Sequence, residues 1–230
     1  MKNKLILITG LLVTGVMAMQ AKIVLTDVHA EVGVNFDGTN FVWALNDETN
    51  DVEYEPGDVI LLVEAATRTR VPNNPDFRFL GKPNAAVWIL PQVINPDVLT
   101  VGISAENLPS GVFVNDVIDL HITSVKGPGQ FALYEVDAFG VPDVFANTRD
   151  GLHNDDHVPF FAGGHAHFNW AFSKPGTYHV TFEASGTLIE GNQAVTSEPQ
   201  VYTFHVSEHI TILRIPSRGP TASHSTVPVR

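Results

Sequence analysis

The amino-acid sequence predicts an all-β protein: one antiparallel β-sandwich domain, immunoglobulin-like or jelly-roll-like. Three observations predict it. Short runs rich in Val, Ile, Phe, Tyr and Thr follow one another along the chain. Clusters of Pro, Gly, Asn and Asp such as YEPGD, RVPNNPDF, INPDV and KGPGQ separate them. No long segment carries a 3.6-residue apolar period with credible caps, so helices are not expected beyond short turns near NPDFRFLG and SAENLPSG.

The elements follow in order. Residues 1–21 have the layout of a secretory signal peptide: the cationic MKNK, the apolar LILITGLLVTGVMA and small residues for cleavage near Ala18 or Ala21. KIVLTDVHAEVGVNF alternates, with Val24, Val28, Val32 and Val34 on one face and Asp27, His29 and Glu31 on the other. Asp37-Gly38 then predicts a hairpin into NFVWALND. Further strands are expected at DVILLVEA, AAVWILPQ, TVGISAE, DVIDLHITSVKG, GQFALYEVD, HAHFNWAF, TYHVTFEASGTL and VYTFHVSEHITIL. Trp43, Trp88 and Trp170 each sit in an apolar run and are expected in the core. Residues 142–162 show no β pattern and read as a long loop. The domain is expected to span 22–208, with 209–230 a polar tail rich in Pro, Ser and Thr. No membrane span is expected in the mature chain.

Charge and cysteine content narrow the function classes. The chain has 13 Lys and Arg against 25 Asp and Glu. Loss of Lys2 and Lys4 with the leader leaves 11 bases against 25 acids, a net charge of −14. Such a surface repels phosphate backbones, so no nucleic-acid partner is expected. There are no cysteines, so a transition-metal site would have to use imidazole and carboxylate. No G-x-S-x-G and no thiol nucleophile is present, and the Asp155-Asp156 pair has no partner signal for glycosidase work. Arg68 and Arg70 read as surface ion-pair partners.

Several separated motifs carry a resemblance. ILLVEAATRTRVPNNPDFRFLG followed by VWILPQ, then SVKGPGQFALYEVDAFGVPDVFANTRDG, GGHAHFNWAFSKPGTYHVTFEASGTL and SEPQVYTFHV, occur in the order and spacing of one family. Over residues 24–206 the chain resembles the choice-of-anchor M domain, an actinobacterial-type surface-anchored, ABC-transporter-associated domain. The resemblance implies an exported bacterial protein, secreted, periplasmic or at the cell surface. It also implies a role in metal handling, with a metal ABC transporter component or cell-envelope material as partner. Members often carry a C-terminal anchor, and no anchor helix is seen in this chain.

The chemistry-bearing residues centre on HAH. His165 and His167 lie at i and i+2, so on a strand both point to one face, about 6–7 Å apart. Asn169 would continue the row, with Ala166, Phe168 and Trp170 opposite. A four-residue SKPG hairpin loop would pair Phe172 with Thr177 and set His167 against Phe182. A one-residue bulge would set it against Thr181 or Glu183 instead, and the register stays open. His29 is the third candidate ligand, a choice the resemblance also favours, and Glu31 or water would be the fourth. Three protein ligands with an open position suit Zn²⁺. GLHNDDHVPFF could also bind a cation, or close over the HAH pair, but it lacks the Gly and terminal Glu of a calcium loop.

The expected function is therefore non-enzymatic: metal capture or delivery at the cell envelope through His29, Glu31, His165 and His167. The alternatives are a structural or adhesive surface module without a metal site, and a metal-dependent hydrolase or oxidase on the same ligands.

Overall fold

The computed structural model describes residues 21–209. The expected leader and the expected tail lie outside the described residues, apart from Ala21 and His209. In chain order the strands are β1 (Ile23–Leu25), β2 (His29–Phe36), β3 (Phe41–Asp47), β4 (Val52–Tyr54), β5 (Val59–Val63) and β6 (Arg68–Arg70). There follow β7 (Ala86–Leu90), β8 (Thr100–Ser104), β9 (Val117–Lys126), β10 (Phe131–Val136), β11 (Pro142–Asn147) and β12 (His157–Phe161). The last are β13 (His165–His167), β14 (Asn169–Phe172), β15 (Gly176–Thr187), β16 (Ala194–Thr196) and β17 (Gln200–Val206).

Three sheets pack together into a sandwich-like all-β fold. Sheet I has the order β1-β5-β17-β15-β9-β12, with β16 alongside β15. Sheet II has the order β13-β8-β2-β3-β4, and sheet III the order β11-β10-β14-β7-β6. Sheet III is wholly antiparallel. The other two are mixed, because β1 and β17 run parallel to β5, and β2 runs parallel to β8. Parallel neighbours need long crossovers, which a purely antiparallel reading of the run order misses.

Aromatic side chains define the core. Trp43 of sheet II meets Phe182 and Tyr202 of sheet I. Trp170 of sheet III packs on Phe182 and Phe204 of the same large sheet, so sheets II and III share its inner face. All three tryptophans are buried, as expected. Their buried polar ends favour partners, and among the tryptophans only the Trp43 indole nitrogen has none. The Trp170 indole N–H donates to the Val101 carbonyl at 2.9 Å, and the Tyr202 hydroxyl to Ala44 at 2.8 Å. These two bonds tie the three sheets to one another.

Several expectations need correction. The Asp37-Gly38 hairpin joins β2 and β3 as expected. The SKPG segment, however, closes no hairpin. Strand β14 pairs with β10 and β7, whereas β15 pairs with β17, β9 and β16. HAHFNWAF is likewise not one strand: it divides at buried Phe168, leaving β13 in sheet II and β14 in sheet III. Asn169 thereby leaves the histidine row and joins Gln92 instead. Residues 142–162 contain two strands, β11 and β12, rather than a single loop. NPDFRFLG forms a 3₁₀ turn over Pro75–Leu80, capped by the Asn74 side chain, while SAENLPSG is irregular. Arg68 lies over the Trp88 ring and Arg70 donates to the Asn84 carbonyl; among the described residues neither pairs with an acid.

Candidate metal centre

The site grows out of the register of sheet II. Glu31 on β2 stands opposite Asn46 on β3 and Gly102 on β8, and Gly102 stands opposite His167 on β13. Directly opposed residues share a sheet face. Asn46, Glu31, Gly102 and His167 therefore form one row across four strands. His29 pairs with Thr100 in the row to one side, and Gly33, Ser104 and His165 form the row to the other. The alternate residues Ala30, Val32, Val101 and Ile103 point into the core and fix this register.

Within that frame, residues far apart in sequence come into contact. His29 Nε2 lies 2.7 Å from His167 Nε2, with the rings tilted at 59° and 4.7 Å between centroids. His29 Nε2 is also 3.4 Å from Glu31 Oε1. One ligand atom from each of His29, Glu31 and His167 lies within 4.8 Å of the others. Two donor atoms bound at 2.0–2.1 Å to one tetrahedral ion sit about 3.4 Å apart. The His29–Glu31 separation already has that value, and the two imidazoles would have to open by well under 1 Å. Without an ion, one Nε2–H donates to the other ring's Nε2 lone pair.

Two further observations fit an ion. Glu31 is 2% exposed, yet its Oε2 has no hydrogen-bond partner, an arrangement that costs free energy unless something is bound there. Gly102 forms a cradle: a Cβ at that position would come within 2.9 Å of His167 Cδ2 and 3.3 Å of its Nε2. With glycine there, the His167 ring lies over β8 toward Glu31; a larger residue would push it away.

The electrostatics are those of ligands kept ready. Burial lowers the His29 pKa, against an opposing pull from Glu48. Burial also lowers that of His167, helped by the neighbouring His29 and His165. Both shifts favour the neutral ring, the form that ligates. Burial raises the Glu31 carboxyl, partly offset by the nearby Ser104 hydroxyl.

His29, Glu31 and His167 are brought together as the sequence predicts; His165 stands just outside the group. Its ring centroid is 5.5 Å from that of His167, and its Nδ1 lies 2.7 Å from Glu106 Oε1. The carboxylate can only accept, so Nδ1–H donates and Nε2 points away from Glu106. Metal-ligating histidines are oriented by carboxylates in this way. Gly102, Ser104, Glu106 and Glu48 escaped the sequence reading. Gly102 left one signal, a glycine interrupting the apolar run TVGIS, which marks a close approach. Glu106 left none, because its role depends on a pairing between strands 59 residues apart.

No protein-family model matches the chain, and no curated protein matches it. Among the described residues, no helix is long and apolar enough to cross a membrane. The His29–Glu31–His167 cluster could hold a metal ion.

Proposed function

We propose that the protein is an exported, non-catalytic metal-binding protein of the bacterial cell envelope. It takes up a divalent transition ion, zinc first, through His29, Glu31 and His167, with His165 as the additional ligand. The observation that carries this reading is the meeting of two imidazoles over a buried carboxylate with an unpartnered oxygen. Two or three nitrogens and one oxygen, with no sulfur, suit Zn²⁺. Partial exposure of the histidines suits capture and release rather than a closed structural site. Export rests on the MKNK-apolar-small layout of the N-terminus. A surface role and delivery to a metal transporter rest on the resemblance of the motif order to choice-of-anchor M domains alone.

The test is zinc titration of the untagged protein, followed by elemental analysis. The wild type is expected to bind zinc with micromolar or tighter affinity, and His29→Ala/His167→Ala is expected to lose the ion at this site while remaining folded. A wild-type protein that takes up no transition metal would overturn the reading in favour of an adhesive module.

A further inference from the structure

A second histidine cluster lies on the outer face of sheet I, away from the residues described above. Strands β12, β9 and β15 are neighbours there, and their register sets His157, His121 and Glu183 directly opposite one another in a row. Two residues along β9, on the same face, Asp119 stands opposite Ser185 of β15. The residues between them, Ile118, Leu120 and Ile122, are buried, so this alternation turns the polar set outward.

The side chains approach one another in pairs, less closely than the three ligand atoms of His29, Glu31 and His167, so an ion would have to draw them together by side-chain rotation. The His121 and His157 rings lie 5.3 Å apart between centroids, at 34°. His157 Nε2 is 3.5 Å from Asp119 Oδ1, too long for a good hydrogen bond but close to the separation of two ligands on one tetrahedral ion. His121 Nε2 is 3.2 Å from Ser185 Oγ. His157 Nδ1 is buried and has no partner. Beside the row opens a concavity of about 410 Å³, floored by His121, Glu183 and Ser185 and walled by His153 and Asn154.

The wall is the GLHNDDHVPFF segment, whose role the first site leaves unexplained. Its Val158–Phe161 end borders a concavity shared with His165, whereas its His153–Asn154 part borders the row. Asp156 folds it back on itself: its carboxylate accepts from the Asn147 and His153 backbone N–H groups, and its carbonyl accepts from Ile122 of β9. That anchorage delivers His157 into the row opposite His121. Aspartates 155 and 156, the calcium-like part of the motif, take no place in the row.

We propose that Asp119, His121, His157 and Glu183 form a second site for a divalent transition ion of the zinc type. Two imidazoles and one or two carboxylates on a rigid sheet face are a borderline donor set, favouring Zn²⁺ over Ca²⁺ or Mg²⁺. The site is independent of His29, Glu31 and His167, and stands whether or not those residues bind.

Zinc alone is the probe, on the untagged full chain. Titration followed by elemental analysis should give two equivalents for the wild type. His29→Ala/His167→Ala should keep one. His121→Gln/His157→Gln should lose one, with an unchanged far-UV circular dichroism spectrum because both rings lie on the outer face. The four-fold variant should keep none. The proposal fails if His29→Ala/His167→Ala binds no zinc at micromolar concentration, or if His121→Gln/His157→Gln matches the wild-type stoichiometry. Loss of an equivalent only in the His121/His157 variant would uphold this site while sinking the first, so the two readings fail separately.

Discussion

The Nε2 atoms of His29 and His167 lie 2.7 Å apart across 138 residues of chain, directly beside a buried carboxylate. Neither ring reaches the other by chance of rotamer: β8 lies between their strands, and its glycine leaves room.

Gly102→Ala should therefore weaken zinc binding without unfolding the protein. The added Cβ would displace the His167 ring, while alanine is acceptable to an extended backbone. A loss of tenfold or more in affinity, with a metal-free thermal midpoint lowered only modestly by crowding of the Ala166 carbonyl, is the expected pair of results. An unchanged affinity would mean that His167 is not a ligand.

Glu31→Gln should act with opposite signs on stability and binding. Burial of an ionised carboxylate without a partner for Oε2 costs about 1–3 kcal/mol. Removing that charge should raise the metal-free midpoint in urea at pH 8, and should lower zinc affinity. Loss of stability on substitution would show that Glu31 is satisfied in solution.

Acid should release the ion and weaken the fold over the same range. The His29 and His167 pKa values are lowered, chiefly by burial. In the unfolded chain their imidazoles take up protons as pH falls through about 6.5, whereas the folded rings resist. Stability present above pH 6.5 is therefore lost as pH falls toward the folded values. The Glu31 carboxyl, raised by burial, works the other way: its penalty is relieved as pH falls through its raised value toward the ordinary carboxylate range. Urea melts of the metal-free protein at pH 8 and 5.5 should show the net loss, and zinc affinity should hold somewhat below pH 6.5 before it collapses.

Trp170→Ala should be among the costliest single changes. The ring is fully buried between Phe131, Phe182 and Phe204, and its N–H donates to Val101. Truncation leaves a cavity and an unpaired carbonyl, about 3–5 kcal/mol by urea denaturation. Val101 lies next to Gly102, so zinc affinity should fall as well.

The alternation of Val32 and Val34 against His29 and Glu31 was legible because a period of two is a local property. So were the turn at Asp37-Gly38, the three core tryptophans and three of the four candidate ligands. The partner strands were not. A four-residue gap such as SKPG looks like a hairpin locally, yet Phe168, buried where the chain passes from one sheet to the next, has already sent β14 away from β15's neighbours. Parallel pairing of β2 with β8, which sets Gly102 beside Glu31, depends on contacts some 70 residues apart. Nothing in either segment alone announces it.

β13 is a three-residue strand at the rim of its sheet, in a chain with no cysteine. An ion held between His29 and His167 would clasp that rim to the first long strand, closing most of the domain into a single loop. It would do for the unfolded ensemble what a disulfide does, restricting a long span of chain. Unlike a disulfide, such a clasp is indifferent to oxidants and reductants and comes undone in acid or before a stronger chelator. A chain built this way would carry its own record of metal supply as resistance to proteolysis.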